Sequence, residues 1–156
     1  MGSILVELNP TVAPLSVVNF LTYAQNGFYS NTLFHRVIAG FVIQGGGYTS
    51  GLVPKSGALA PITLESKNGL LNLRGMIAMA RSADPNSATS EFYFNLLDNP
   101  SLDYQDANNP GYAVFGKVVQ GLEVMDAIGA VATQSVNGTP DVPVSNVLII
   151  GMQRLQ

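Results

Sequence analysis

The sequence predicts a mainly β protein, built as a closed antiparallel barrel with two α-helices capping its ends. Two observations carry this prediction. Short runs rich in β-branched and aromatic residues recur through the middle of the chain, and clusters of Gly, Pro, Asn and Asp separate them, as expected of strands joined by turns. One helical pattern precedes these runs and another follows them, which suits a capped barrel.

The composition predicts one globular domain over residues 1–156. Hydrophobic residues make up 47% of the chain and charged residues 11%, which excludes a disordered protein. The net charge is -3 and no basic cluster is present, so the electrostatic signature of a nucleic-acid binder is absent. The chain has no cysteine, which excludes disulfides, thiol nucleophiles and thiolate metal sites. No apolar run approaches the roughly 18 residues expected of a membrane span.

The first elements are a strand over residues 4–8 and a helix over residues 13–24. The strand begins abruptly after the first three residues, so we expect an excised domain or a trimmed mature form. Pro14 fits the first helical turn, where its missing N–H is no loss. Gly27 follows the helix as a plausible C-cap.

The remaining elements follow the same logic of apolar runs bounded by turn residues. A helix over residues 122–128 follows Gly121, and a strand over residues 147–151 ends the pattern. The strands predicted between the two helices are residues 32–38, 41–44, 76–80, 92–96 and 112–119.

The most informative segment is residues 34–47, FHRVIAGFVIQGGG, which sets Arg36 and Gln44 among aromatic and aliphatic residues. Long polar side chains in such a run must find partners or face a ligand, because burying them unpaired costs several kcal/mol. Arg36 offers five N–H donors, Gln44 offers a donor and an acceptor, and Phe41 supplies an apolar wall between them. This set of residues is suited to holding an amide and contains no nucleophile.

Residues 87–95, SATSEFYFN, alternate cleanly between two faces. Phe92 and Phe94 are expected on the core face, whereas Glu91 and Tyr93 are expected to look outward onto the groove that holds Arg36. His35 is the only histidine, and strict alternation with Arg36 predicts that it faces away from this groove and is structural.

Four motifs occur in order with consistent spacing: FHRVIAGFVIQGGG, GMIAMAR, SATSEFYFN and GYAVFGKVVQGLEVMDAI. Together they resemble the cyclophilin family of peptidyl-prolyl cis-trans isomerases, and they are most similar to its bacterial branch. The resemblance runs from Ile4 to about Ile150. The first strand of the family normally begins several residues earlier, so the resemblance implies that part of this strand is missing. It implies an eight-stranded barrel with two capping helices, a substrate groove on the outer surface, and rotation about X–Pro bonds as the activity.

The resemblance also implies roles for individual residues. Arg36 matches the catalytic arginine of the family, and Phe41 matches the phenylalanine that packs on the substrate proline. The other matched positions are the groove residues Gln44, Ala80 and Arg81, the pocket positions Val42, Tyr93 and Leu102, and Tyr112, which is typical of bacterial members.

Two positions depart from the pattern of the family. Glu91 stands where glutamine is usual, and its carboxylate would either pair with Arg36 or repel the substrate carbonyl, which keeps open a low-activity module that binds proline segments. Ser101 stands where the family has an aromatic residue that contacts cyclosporin, so weak or no cyclosporin binding is expected.

Bond rotation makes and breaks no covalent bond, so no cofactor, metal or nucleophile is required. The expected partners are proline-containing unfolded or extended polypeptides, and the chain is expected to act as a monomer away from nucleic acid and membrane. An unrelated hydrolase that uses Glu91 with Asp98 or Asp103 is a remote alternative, because nothing fixes the spacing of these carboxylates. Low charge, the absence of cysteine and similarity to periplasmic members favour export, with a cytoplasmic location as the alternative.

Overall fold

A computed structural model describes residues 1–155. The helices are α1 at Pro14–Gln25 and α2 at Leu122–Gly129, with a short 3-10 helix at Pro100–Leu102. The strands are β1 Leu5–Leu8, β2 Thr32–Ile38, β3 Val42–Gly45, β4 Tyr48–Thr49, β5 Val53–Pro54, β6 Met76–Met79, β7 Phe92–Asn95, β8 Val114–Gln120, β9 Thr133–Val136, β10 Thr139–Pro143 and β11 Leu148–Ile149. Within residues 1–155, no helix is long and apolar enough to cross a membrane.

Both predicted helices are present, each within one residue of its expected bounds. Pro14 opens α1 at the first helical position, as its missing N–H allows. Gly27 follows this helix with a φ of 67°, a left-handed conformation that glycine adopts without strain. Helix α1 buries Val17, Phe20 and Tyr23 against the sheet. The helices therefore cover one face of the sheet, which becomes the main core.

The prediction of a closed eight-stranded barrel is wrong, although a mainly β fold with two helices is confirmed. Seven strands form one antiparallel sheet in the order β1-β8-β6-β7-β3-β2-β11. Closure would require the outer strands β1 and β11 to pair, but in residues 1–155 β1 pairs with β8 and the two-residue β11 pairs with β2. The four other strands form two separate hairpins, β4-β5 and β9-β10.

The main core fills the face of the sheet that the helices cover. Phe92 and Phe94 of β7 are buried there, as the alternation of residues 87–95 predicts. The ring of Phe92 makes edge contacts at 5.4 Å with both Phe20 and Tyr29. Such edge-to-face pairs add to the stabilisation that burial of apolar surface provides.

A second apolar cluster lies on the opposite face of the same strands. Its buried members, here called the outer cluster, are Val42, Ala78, Ala80, Tyr93 and Val114. Tyr93 lies between the core residues Phe92 and Phe94 in sequence and points to the other face, as a strand requires. This face is predicted to be open to a groove, but Tyr93 is only 4% exposed. Surrounding residues therefore cover part of the outer face of the sheet and turn it into a second, smaller core.

Candidate functional site

A β-bulge in strand β2 places two consecutive side chains in the same cleft. Phe34 pairs with Gly45 and Arg36 pairs with Gln44, so His35 is the extra residue. Phe34 and Val37 enter the main core, whereas His35 and Arg36 both line the cleft. The prediction that His35 faces away from Arg36 is therefore wrong, because the bulge interrupts the strict alternation of the strand.

The cleft has a volume of about 480 Å³ and is formed by strands β2 and β3 together with the residues that flank β6 and β7. The lining residues that carry its polar character and its junction with the outer cluster are His35, Arg36, Gln44, Ala80, Arg81 and Glu91. Ala80 belongs to both the cleft and the outer cluster, so the polar cleft and the apolar cluster are continuous. An extended peptide laid across this junction would meet hydrogen-bonding groups on one side and an apolar surface on the other.

Arg36, Gln44 and Glu91 form a chain of hydrogen bonds along the cleft. Arg36 Nη1 donates to Gln44 Oε1 at 3.2 Å, and Gln44 Nε2 donates to Glu91 Oε2 at 2.8 Å. No carboxylate among residues 1–155 lies within 4.0 Å of the Arg36 guanidinium. Of the two possibilities that the sequence left open for Glu91, pairing with Arg36 is therefore absent.

Glu91 also lies beside His35, and burial shifts the pKa of both groups. His35 Nε2 is 3.4 Å from Glu91 Oε2. Burial lowers the pKa of His35 to about 4, and the charge of Arg36 acts in the same direction. The imidazole is therefore neutral at pH 7. Burial raises the pKa of the Glu91 carboxyl above its usual value, while the hydrogen bond from Gln44 opposes this rise.

The apolar part of the site combines the outer cluster with three half-buried side chains. Phe41, Leu102 and Tyr112 pack against the cluster that contains Val42, Ala80 and Tyr93. The rings of Tyr93 and Tyr112 meet edge to face with centroids 5.8 Å apart. These residues come from β3, β7, the 3-10 helix and the residues before β8, and the fold brings them together from distant parts of the sequence.

Arg81 forms a wall of the site through three hydrogen bonds to backbone carbonyls. Its Nε and Nη2 donate to the Gly111 carbonyl at 3.0 and 2.9 Å, and its Nη1 donates to the Ser82 carbonyl at 2.9 Å. The guanidinium also lies 4.6 Å from the centre of the Tyr112 ring, in cation–π geometry. Arg81 therefore fixes the position of Tyr112, and its own donors are largely occupied by the protein.

Asn72 supports the apolar part of the site from below, and nothing in the sequence analysis identified it. Its Oδ1 accepts hydrogen bonds from the Tyr93 hydroxyl at 2.7 Å and from Asn95 Nδ2 at 3.2 Å. Its Nδ2 donates to the Leu102 carbonyl at 3.0 Å. One buried amide thus holds the Tyr93 side chain and the Leu102 backbone in place. The available signal was an asparagine set among leucines in the segment LLNL, where an unpaired amide would be costly.

The structure therefore gathers all ten predicted site residues into one continuous surface with two parts. The polar part holds the side chains of Arg36, Gln44, Arg81 and Glu91, and the apolar part holds Phe41, Val42, Tyr93, Leu102 and Tyr112, with Ala80 shared between them. Val42 and Tyr93 are almost fully buried, at 3% and 4% exposure, so they support the half-buried side chains of Phe41, Leu102 and Tyr112 that pack against them.

The fold and the site define the class of protein as a mainly β protein with a polar cleft that adjoins an apolar cluster on the outer face of its sheet. The polar part offers hydrogen-bond donors and acceptors, and the apolar part offers the half-buried side chains of Phe41, Leu102 and Tyr112. No group of three or more His, Cys, Asp or Glu side chains in the part of the chain that the structure describes is placed to hold a metal ion.

Comparison with known proteins places the chain within this class. The family model described as cyclophilin type peptidyl-prolyl cis-trans isomerase/CLD matches residues 1–154. The chain therefore belongs to the cyclophilin family, and its activity is peptidyl-prolyl cis-trans isomerisation.

Bacterial isomerases are similar to the chain over almost its full length. Peptidyl-prolyl cis-trans isomerase cyp18 of Streptomyces antibioticus is 50% identical over 150 residues, which cover 95% of this chain and 90% of that protein. Peptidyl-prolyl cis-trans isomerase B of Escherichia coli K12 is 45% identical, covering 95% of this chain and 91% of that protein.

Solved structures agree with the fold. The crystal structure of a Cryptosporidium parvum cyclophilin type peptidyl-prolyl cis-trans isomerase in the presence of the dipeptide Ala-Pro has a TM-score of 0.78 and 26% sequence identity. The match covers 96% of this chain and 90% of that chain. The resemblance that the four sequence motifs carry is therefore confirmed.

Proposed function

We propose that Arg36 is the catalytic residue and that Phe41, Tyr93 and Leu102 seat the substrate proline ring. The observation that supports this proposal is the position of Arg36, which lines the same cleft as Ala80 of the outer cluster and has no carboxylate partner within 4.0 Å among residues 1–155. In the described residues, its one side-chain hydrogen bond is to Gln44, which leaves most of its five donors for a substrate.

The chemistry needed is weakening of amide resonance. Rotation about an X–Pro bond faces a barrier of about 18–20 kcal/mol because the C–N bond has partial double-bond character. In the twisted transition state the proline nitrogen gains a lone pair that the planar amide lacks. A guanidinium that donates to this lone pair binds the twisted amide more strongly than the planar one, which is the condition for catalysis.

The other site residues hold the two sides of the bond differently. Phe41, Tyr93 and Leu102 hold the ring, which buries apolar surface and keeps the proline fixed. Gln44 and the backbone near Ala80 hold the preceding residue, so the carbonyl between them turns. Because a guanidinium group is always charged at working pH, the rate is expected to be nearly constant from about pH 6 to 9.

The substrates follow from the shape and chemistry of this groove. Proline-containing peptides are the substrate class of the cyclophilin family. An open cleft that continues into an apolar pocket accepts an extended segment rather than a folded surface, so we propose unfolded or extended polypeptides as the natural substrates and assistance in protein folding as the role. Organisation as a single domain over residues 1–156, a monomeric state and export from the cytoplasm stay predictions from the sequence.

Two substitutions of Arg36 test the catalytic assignment. Arg36→Ala removes the donor, and Arg36→Lys keeps the charge but loses the planar fork. Both are expected to lower kcat/KM by at least about tenfold in a protease-coupled assay on a proline peptide, because one preorganised donor contributes several kcal/mol to a transition state. Arg154→Ala, at an exposed position outside the cleft, is the matched control. Near wild-type activity of Arg36→Ala, with an unchanged fold by circular dichroism, would show that the assignment is wrong.

A further inference from the structure

We infer that Glu91 is a positioning residue for the isomerase reaction, because its carboxylate sets the orientation of the Gln44 amide and thereby directs the Arg36 guanidinium. This inference rests on the proposed role of Arg36. It gives the glutamate at position 91, where the family usually has glutamine, a role in catalysis. The sequence suggested only that this glutamate lowers activity.

The argument begins with the two ends of the Gln44 side chain. An amide offers an acceptor at Oε1 and two donors at Nε2, and the two ends are nearly equal in size, so packing alone does not decide which way the group faces. Here the amide lies between Arg36, which can only donate, and Glu91, whose ionised carboxylate can only accept. One orientation satisfies both neighbours, and the reverse orientation satisfies neither.

The residue at position 91 decides how strongly one orientation of the Gln44 amide is preferred. A glutamine at position 91 could present either its oxygen or its nitrogen to Gln44, so both orientations of Gln44 would find a complementary partner there. An ionised glutamate removes that freedom. The hydrogen bond to a charged acceptor, at 2.8 Å, is also stronger than one between neutral groups. The consequence at Arg36 is a fixed acceptor at 3.2 Å that holds one edge of the guanidinium.

Glu91 is itself held in place from three sides. Its backbone carbonyl accepts a hydrogen bond from the Ala80 N–H at 3.0 Å. Gly47 passes so close that a Cβ there would lie 2.5 Å from Glu91 Cγ, so only glycine leaves room for this side chain. His35 Nε2 of β2 lies 3.4 Å from Oε2, across the intervening strand β3. The carboxylate is therefore a fixed acceptor rather than a mobile surface charge, and its side chain is 30% exposed.

The charged and titratable groups around Glu91 leave its carboxylate available to accept from Gln44. On β2, His35 is neutral and Arg36 is positive, and neither forms a close ion pair that would draw the carboxylate away from Gln44. Arg81, which lines the same cleft after β6, is committed to the Gly111 and Ser82 carbonyls. Tyr48 of β4 packs its ring 4.5 Å from His35 and completes the cleft wall.

The deciding variant is Glu91→Gln, which keeps the size of the side chain. If Glu91 orients Gln44, this variant lowers kcat/KM by about three- to tenfold, because Arg36 then occupies its productive pose for only part of the time. If the carboxylate instead repels the substrate carbonyl, the same variant raises kcat/KM, and the inference is overturned. Glu123→Gln, at an exposed position of α2, is the matched control and leaves activity unchanged.

A pH profile separates positioning from general structural support. Protonated Glu91 becomes a donor, Gln44 can then reverse, and Arg36 loses its acceptor. Activity of the natural chain is therefore expected to fall as the pH drops through the raised pKa of Glu91, whereas Glu91→Gln follows a flat profile over the same range. Parallel profiles for the two proteins would overturn the inference.

A double-mutant cycle tests whether Glu91 acts through Gln44. On a Gln44→Leu background, Glu91→Gln is expected to cause no further loss of activity, because the amide to be oriented is gone. Full additivity of the two losses would contradict the inference.

Arg36→Ala, measured alongside, keeps the two proposals distinct. Loss in Arg36→Ala with none in Glu91→Gln refutes the role of Glu91 alone, whereas full activity in Arg36→Ala refutes the role of Arg36 and the inference that rests on it.

Discussion

Acid lability is expected to arise from His35. The side chain is the only histidine in the chain and is 9% exposed, and its pKa is lowered from 6.5 to about 4. Its buried Nδ1 has no well-formed hydrogen bond among residues 1–155, and the backbone of Leu33 only partly offsets the lowering of the pKa by burial. Protonation therefore favours the unfolded chain, where water solvates the cation.

The sign and size of the effect follow from these two pKa values. Between pH 6.5 and about 4 the unfolded chain binds one more proton than the native protein, so the free energy of unfolding falls as the pH falls. From pH 7 to pH 5 the expected loss is about 2 kcal/mol, and the full difference corresponds to about 3 kcal/mol. Glu91 acts in the opposite direction, because its raised pKa lets the native protein take up a proton first.

The assay is urea unfolding at pH 7, 6 and 5, for the natural chain and for His35→Gln. The variant removes the titrating group, so its free energy of unfolding should vary much less over this range, whatever its stability at pH 7. Because the chain has one histidine, its imidazole signal can also be followed by NMR without ambiguity, with an expected midpoint near 4. A midpoint near 6.5, or equal pH dependence in the two proteins, would refute the reasoning.

Two further outcomes are expected. Tyr93→Phe removes the hydroxyl that donates to Asn72 at 2.7 Å and should lower the free energy of unfolding by about 1 kcal/mol, measured in urea. Tyr104→Phe, whose hydroxyl has no hydrogen bond among the described residues, is its control, and equal effects of the two variants would contradict the role of this bond. Cyclosporin is expected to bind weakly because the exposed Ser101 offers no aromatic surface, and nanomolar affinity in a calorimetric titration would disprove this.

Local patterns in the sequence predicted most elements of the fold. Residues 32–38 were predicted as a strand and form β2 over the same bounds, and both helices lie within one residue of their predicted ends. These elements depend on periodicity and on Pro and Gly at their ends, which are properties of neighbouring residues. The hairpin β9-β10 was missed, although Asn137 and Gly138, both with positive φ, form the turn that such a pair favours.

The arrangement of the site depended on contacts that local patterns do not encode. Alternation placed His35 away from Arg36, but pairing with β3 introduced a bulge that brought both into the cleft. Alternation correctly placed Tyr93 on the other face of the strand from Phe92. It could not reveal that Asn72, 21 residues away in sequence, accepts a hydrogen bond from the Tyr93 hydroxyl.

The sequence by itself determined the family and the mainly β architecture, because ordered motifs and periodicity are properties of neighbouring residues. Only the tertiary structure decided that the sheet stays open, that His35 enters the cleft, and that Glu91 bonds Gln44 instead of Arg36. These outcomes depend on which distant strands pair and in which register, and a shift of one residue in that pairing changes the face to which each side chain points.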